Sequence, residues 1–504
     1  MPSRLDNINE QRRQKLERLR ARGIDPYPHR FRQTHTTREA IAALEAMEAS
    51  EPATRARSRV FGQENEEVSL AGRITAVRRM GKSSFADLRD GSGKIQLLFQ
   101  NTDQYDEEKR ELFKDLDIGD IIGTEGALLR TRTGEPTLAV HDFTLLAKSL
   151  LPLPEKWHGL ADTETRYRQR YLDLIANSEV KEVFLARSRI ISAVRQFMDR
   201  RGFIEVETPV LQPSAGGALA APFITHHNAL DRDFYLRIAL ELHHKRLIVG
   251  GFDRIYEIGT VFRNEGISTT HNPEYTLLES YEAYADYTDV MEMLEEMVAW
   301  VSQQVLGTTA IKYGEYNIEL KPPWRRVTLR DAVKEHSGID FVKYPTASGL
   351  RERMRPLKVD IDPDKNWARL VDELYKTFAR PNLIQPTFLI DYPVSMSPLA
   401  KNKPGEERVA ERFQAVVGGL EIANAYSELN DPLEQRERFA EQMKERHGSD
   451  EEQWTIDEDY LLALEYGMPP TGGLGVGIDR LVMLLTNQPS IREVILFPQL
   501  REKG

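Results

Sequence analysis

Two arginines, each at the end of a strand-like run, and glutamates set among tyrosines are residues that could meet a phosphate and a charged ligand. A loop opened by Phe262-Arg263-Asn264-Glu265-Gly266 and closed by His271-Asn272-Pro273-Glu274 joins two strand-like runs. The run before it is β-rich and apolar (Ile255, Tyr256, Ile258, Val261, Phe262); in the run after it, Tyr275, Leu277, Glu279 and Tyr281 alternate with Glu274, Thr276, Leu278 and Ser280. A strand's period of two puts Tyr275, Glu279 and Tyr281 on one face. A carboxylate between tyrosines makes a poor core but a fitting floor for a charged ligand, and Arg263 stands at the end of the partner strand. The alternative is an edge hairpin with solvated charges.

Two later segments carry the same chemistry. In Gly418–Leu429, parity groups Leu420, Ile422, Asn424, Tyr426 and Glu428, with Glu421, Ala423, Ala425 and Ser427 facing the other way. Further on, Gly472-Gly473-Leu474-Gly475-Val476-Gly477-Ile478-Asp479-Arg480 spaces glycines along a strand before an apolar helix. Glycine weakens a strand unless something must approach its backbone, and Arg480 just beyond could meet a phosphate. The segment has neither the Gly-Lys-Ser/Thr ending of a P-loop nor glycines opening a helix.

The elements that must position these residues need more than one domain, because 504 residues exceed one ordinary core. With 40% hydrophobic and 29% charged residues the composition is that of a globular protein, and no apolar run reaches the roughly 18 residues of a membrane span. Met1-Pro2-Ser3-Arg4 leads into polar sequence without a signal core and cysteine is absent, so a cytoplasmic location is expected and thiolate metal sites are excluded. A net charge of −11 argues against general coating of nucleic acid, although residues 1–32 hold nine Lys/Arg against four Asp/Glu.

Residues 1–60 read as a helical arm and linker. The helix from Asn7 to Arg22 has Ile8, Leu16 and Leu19 as its few apolar positions, and its basic residues suit either a solvated face or a phosphate-contacting arm. Residues 61–150 change to short strands with hairpin loops at Asp90-Gly91-Ser92-Gly93 and Thr133-Gly134-Glu135-Pro136, the pattern of a small β-barrel. Ala86 and Leu88 pair by parity with Ile95, Leu97 and Phe99 as its inward set. That leaves Phe85 outside beside Gln96, near Arg73, Arg78 and Arg79, where it could stack on a base or simply be a single exposed aromatic. Residues 151–180 read as a linker, from Leu151-Pro152-Leu153-Pro154 through the run Arg166–Leu174. Residues 181–504 hold the remaining elements. There Ile190, Ile191, Val194, Phe197 and Met198 lie on one helix face, Phe203–Pro209 reads as an edge strand and Asp289–Val301 as an amphipathic scaffold helix. Asp391-Tyr392-Pro393 and Ser397-Pro398-Leu399 read as pocket-side loops. His226-His227 reads as packing, since no third ligand is nearby.

A helix leading to Glu207-Thr208-Pro209, a hairpin strand ending at Arg263 and a glycine strand ending at Arg480 resemble the three signature motifs of class II aminoacyl-tRNA synthetases, in order and spacing. The barrel before them points to the subgroup for lysine, aspartate and asparagine, and Tyr167–Leu174, Pro222–Leu230, Phe262–Ser268 and Tyr426–Asp431 are similar to the bacterial lysyl-tRNA synthetases. The resemblance implies an α+β chain, with an oligonucleotide-binding (OB) barrel of five strands before a catalytic domain built on an antiparallel sheet flanked by helices. It implies a homodimer that uses ATP, magnesium, lysine and tRNA(Lys). By the same resemblance, Arg263 and Arg480 are catalytic, and Glu265, His271, Asn272 and Tyr275 complete the ATP site. Gly217, Glu241, Arg263, Glu279, Tyr281, Asn424, Tyr426 and Glu428 bind lysine, and Phe85, Gln96 and Glu135 read the anticodon. Glu421 would hold magnesium.

The chain departs from the family pattern at two places: Gln414 replaces a metal-binding glutamate, removing a negative charge from a hard-cation site, and Ala221 replaces a basic residue before Pro222-Phe223. Strict parity also puts Glu421 opposite Asn424, so its metal role requires a bulge between them. Two other readings stay open: a paralogue that forms lysyl-adenylate for another acceptor, and a catalytically silent tRNA-binding protein.

Overall fold

The Asp90 carboxylate accepts hydrogen bonds from the Ser92 and Gly93 N–H groups (2.7 and 2.9 Å) and so closes the first hairpin turn of the barrel. The computed structural model describes residues 4–50, 67–80, 83–100, 105–154, 160–214, 220–359, 362–446 and 456–502, in two compact units, Met1–Gly159 and Leu160–Gly504. In the first unit, strands Val68–Met80, Ser83–Arg89, Lys94–Gln100, Pro136–Ala147 and Ile121–Arg130 pair in that order into a closed barrel. Its core contains Ala86, Leu88, Ile95, Leu97 and Phe99, the inward set given by parity. At Gly126 a Cβ would lie 2.0 Å from the Ala139 carbonyl oxygen, so two strands can meet there only over glycine.

The first helix, Arg4–Ala21, buries Leu16 and Leu19. Several basic residues here are committed inside the unit: Lys15 to Asp117 (2.6 Å), Arg18 and, just past the helix, Arg22 to Asp115 (2.8 and 3.0 Å), and Arg12 to the carbonyl oxygens of Ile118 and Leu151. These contacts favour the packed-helix alternative over a free phosphate-binding arm.

In the second unit eight strands form one sheet: Arg325–Thr328, Thr387–Pro393, Glu406–Val417, Leu420–Ser427, Thr471–Gly477, Glu274–Ala283, Arg254–Phe262 and Ile204–Glu205. A ninth short strand, Asn402–Lys403, joins Glu406–Val417 off this path. The interior pairings are antiparallel and the two outermost are parallel. Helices Ser178–Arg200, Tyr287–Leu306 and Ile478–Leu485 supply a large core with Leu278, Ala423, Ala425, Leu474 and Val476. Alternation leaves the opposite side of those strands for polar residues and glycines. Helix Tyr287–Leu306 is set by an Asp286/Asp289 capping box and ends at Gly307 in the left-handed region. A separate core around Leu329, Leu350, Leu370, Leu374 and Leu383 holds the helical segment between the parallel-paired strands Arg325–Thr328 and Thr387–Pro393.

Several expected boundaries move. Residues 160–180 lie in the second unit, where Arg170 is fully buried, pairs with Asp173 (2.6 Å) and donates to the Arg492 and Leu496 carbonyl oxygens. Only Ile204–Glu205 of the Phe203–Pro209 stretch is a strand, and Asp391-Tyr392-Pro393 ends a strand instead of forming a loop.

Candidate active site

The Glu274–Ala283, Thr471–Gly477 and Leu420–Ser427 strands lie side by side, with Glu279 paired to Gly475 and Gly475 to Asn424; two residues along, Tyr281, Gly473 and Tyr426 form a second row. Cross-strand neighbours share a face, so the three segments singled out in the sequence build one floor. A cavity of about 650 Å³ lies over it, lined among others by Arg263, Glu265, His271, Tyr275, Glu279 and Arg480. Its other end carries Glu241, Tyr281, Asn424, Tyr426 and Glu428. Gly217 lies outside the described residues.

At the first end, Arg263 follows the strand and its N–H closes the loop on the Pro273 carbonyl (2.7 Å); its guanidinium lies 5.4 Å from the Tyr275 ring centre. Arg480 opens the helix after the glycine strand and donates to the Glu421 carbonyl oxygen (2.9 Å). Asp479 beside it is fixed by Arg187 (2.5 Å) and by the Thr276 N–H (2.7 Å), which locks the helix start against the hairpin. Arg480 Nη2 also lies 3.4 Å from His271 Nε2. Desolvation, and then the Arg480 charge, push the His271 pKa below its ordinary value. His271 is therefore a neutral imidazole that orients Arg480, with Nδ1 near the Ser268 hydroxyl (2.9 Å). Asn272 reaches the wall, but its amide is used within the fold, donating to the Glu274 carbonyl and accepting from the Gln499 N–H.

Glu421 reaches the same cavity because the register shifts between Ala415 and Val416, which pairs Glu421 with Val416. A bulge at this place is what a metal role for Glu421 would require. It also corrects the parity of the strand's start: Leu420 and Ile422 join the hydrophobic core, while Glu421 shares the pocket with Asn424 and Tyr426. Among the described residues the Glu421 carboxylate has no hydrogen-bond or ion-pair partner, so it is open to a cation. Gln414 is almost fully buried, its Oε1 accepts from the Tyr392 hydroxyl (2.8 Å), and it does not line the cavity. The Ala221 carbonyl accepts from the Asn264 N–H (2.8 Å) and supports the loop through its backbone.

The acidic end is buried. Glu279 accepts from the Leu240 N–H (3.1 Å) and the Tyr281 hydroxyl (3.0 Å), and burial raises its pKa. Burial pushes Glu428 up to about 8 despite the opposing charge of Lys245. Glu428 Oε1 has no hydrogen-bond partner among the described residues, and a Cβ on Gly473 would lie 1.8 Å from it. Glycine at 473 is therefore what lets this carboxylate occupy the floor. Asn424 has its amide polarity set on both sides: Arg412 Nε donates to Oδ1 (3.0 Å) and Nδ2 donates to the Tyr426 hydroxyl (2.5 Å).

Some wall residues escaped the sequence reading. Lys376 and Arg380, from the helical segment, face the arginine end, and Arg412 stacks on Tyr392 with its guanidinium 4.5 Å from the ring centre. Their local pattern is that of ordinary charged helix and strand positions. His226 pairs with Asp233 (2.9 Å) on an exposed strand and belongs to no potential metal cluster among the described residues.

On the barrel, Phe85 is half-buried and registers opposite Arg78 and Leu98; Gln96 registers opposite Asp87 and Thr137 in the next row, and Glu135 is exposed just before Thr137. Thr137 Oγ1 donates to Gln96 Oε1 (3.1 Å). Arg78 and Lys94 both reach Asp87 (3.0 and 3.4 Å), and Arg73 donates to the Gly119 carbonyl oxygen.

The pattern of the OB-fold nucleic acid binding domain matches residues 68–146, and that of the class II tRNA synthetases (D, K and N) matches residues 162–501. The chain is 60% identical over 497 residues to a lysine–tRNA ligase of Dehalococcoides mccartyi, covering 98% of each chain. It is 54% identical to that of Moorella thermoacetica (98% of this chain, 97% of the other) and 50% identical to that of Bacillus subtilis (99% and 98%). Barrel, motif arginines and sequence likeness agree across the whole length, and the chain belongs to the class II tRNA synthetases of the D, K and N group.

Proposed function

We infer that the chain is a lysine–tRNA ligase that joins lysine to ATP as lysyl-adenylate, releasing pyrophosphate, and then passes the lysyl group to the 3′ end of tRNA(Lys). The observation that carries this reading is the polarity of this cavity, with arginines at one end and three buried acids at the other. An aspartate-specific site needs cations where these acids stand.

The lysine carboxylate is itself the nucleophile toward the α-phosphorus, so no side-chain base is required and catalysis rests on placement and charge. Arg263 holds the α-phosphate and the lysine carboxylate, and Arg480, oriented by His271, holds the outer phosphates. Glu265, Asn272 and Tyr275 complete the nucleotide wall. Glu241, Glu279 and Glu428 take the ammonium groups, with Tyr281, Asn424 and Tyr426 around them. Glu421 would hold magnesium, which neutralises phosphate charge when it arrives with ATP. Exposed apolar residues at Leu185, Ile204, Val210 and Leu211 support a homodimer, and the absence of cysteine fits a cytoplasmic protein. Amino-acid-dependent ATP–pyrophosphate exchange across the full amino-acid set tests the substrate: lysine is expected to support it best, and preference for aspartate or asparagine overturns the reading.

Phe85, Gln96 and Glu135 read a uridine-rich anticodon in this account, with Phe85 stacking on an unpaired base. A stacked base contributes about 1–3 kcal/mol, so Phe85→Ala is expected to weaken tRNA use by roughly one or two powers of ten and leave lysine-dependent exchange unchanged. Measuring charging, exchange and melting temperature on one preparation checks this. A lower melting temperature with unchanged charging per folded molecule would make Phe85 a packing residue.

A further inference from the structure

Lys245 lies one helical turn after Glu241 in the helix Glu241–Val249 and is fully buried. Its Nζ is 2.5 Å from Glu241 Oε1 and 2.5 Å from Glu428 Oε2, so one ammonium pairs with two carboxylates. The Tyr460 ring, from helix Glu458–Glu465, lies 5.9 Å away. The other ionisable groups around this cluster are Glu279 and Tyr281 of the hairpin, Tyr426 of the adjoining strand, and His244 of the same helix, whose ring lies 5.4 Å from that of Tyr281 and whose charge opposes the rise of the Glu279 pKa. Desolvation alone would strip the proton from such a lysine, but Glu241 and then Glu428 more than reverse that and raise its pKa well above the ordinary value.

A buried ion pair of this kind is often only a packing solution, and replacing such pairs by apolar residues can be neutral for stability. Here both partners of the lysine line the substrate cavity. With all three acids ionised, the one resident ammonium leaves two negative charges, matching the two ammonium groups of a diamino acid. Glu279 and Glu428 Oε1 remain free of Lys245 and face that ligand, while Glu241 and Glu428 Oε2 are tethered.

Resting on the lysine-ligase reading, we propose that Lys245 is a positioning and specificity residue: a resident ammonium that tethers two substrate-facing acids and sets at two the number of ammonium groups a ligand must bring. A ligand with one ammonium leaves a buried acid uncompensated, which then has to take up a proton. Removing Lys245 leaves three acids for two ammonium groups and makes Glu428 harder to ionise, since the lysine is the group that holds its proton affinity down.

The test is the pH dependence of the lysine KM in ATP–pyrophosphate exchange, with the ATP KM and thermal unfolding recorded in parallel. Lys245→Met is expected to raise the lysine KM at pH 7 by about tenfold or more and to move its acid limb upward by about one pH unit, with the ATP KM little changed. Lys245→Arg, which keeps the charge, is expected to keep the limb near the parent position. If Lys245→Met does not fold, Lys245→Gln takes its place. An acid limb coincident with the parent in the uncharged variant overturns the proposal, as does an equal shift in the uncharged and arginine variants, which would assign the effect to packing. Failure of the parent enzyme to use lysine would instead strike the lysine-ligase reading, so the two failures are distinguishable.

Discussion

Arg263→Ala is expected to lower lysine-dependent ATP–pyrophosphate exchange by at least two to three powers of ten while leaving tRNA binding close to that of the parent. A preorganised donor aimed at developing charge in a desolvated site is worth about 3–4 kcal/mol when removed. Arg263 has that setting: its backbone is closed on Pro273, its Nε donates to the Ile238 carbonyl oxygen (3.3 Å), and the Tyr275 ring flanks its guanidinium. The loss should fall mainly on kcat, because the α-phosphate gains its charge as the lysine carboxylate attacks. tRNA binding measured by filter retention controls for folding. Exchange near the parental rate would remove Arg263 from the chemistry.

The floor of the cavity was legible because it is built from strands, where a side chain's face follows from counting by two. That count placed Tyr275, Glu279 and Tyr281 together and found Asn424, Tyr426 and Glu428, all of which line the cavity. It failed at Leu420 and Ile422 for a local reason: one extra residue at the bulge reverses the parity of everything before it, so Glu421 exchanges faces with its neighbours. The role that the family resemblance implies for Glu421, not the hydrophobic pattern, called for the bulge.

Other parts were invisible because their meaning depends on distant partners. Lys245, one helical turn after Glu241, has the spacing of an ordinary i,i+4 pair on a solvated helix; burial against Glu428, far along the chain, makes it part of the site. Lys376 and Arg380 lie in a stretch whose strands pair in parallel across a helical insertion, and such long-range pairing leaves no local pattern. Gln414 illustrates the converse. Its position in the motif suggested the metal, yet its amide oxygen is engaged by Tyr392, which a linear reading has no means of showing.

Lysine affinity should fall steeply as pH drops below about 8. The ammonium binds the carboxylate form of Glu428, while burial holds that group's pKa up to about 8 in the free protein. Below that value binding must first expel a proton, so the lysine KM is expected to rise about tenfold per pH unit between pH 8 and pH 6 and to level off above pH 8. The sign is fixed: a raised carboxyl pKa removes affinity on the acid side, whereas a depressed one would leave affinity flat down to pH 5. Glu279 is also raised by burial and its charge adds to the upward push on Glu428, so the midpoint belongs to the cluster. Glu428→Gln removes the charge but keeps the shape. It is expected to raise the lysine KM by two to three powers of ten, in line with about 2–5 kcal/mol for breaking a buried charge contact, and to flatten the acid limb. Glu279→Asp should cost less, because the Leu240 N–H and the Tyr281 hydroxyl already satisfy part of that carboxylate. Isothermal titration of lysine in buffers of differing protonation enthalpy reads the expelled proton directly. A net release near zero at pH 7, or an acid limb unchanged in Glu428→Gln, would mean that Glu428 is ionised before lysine arrives.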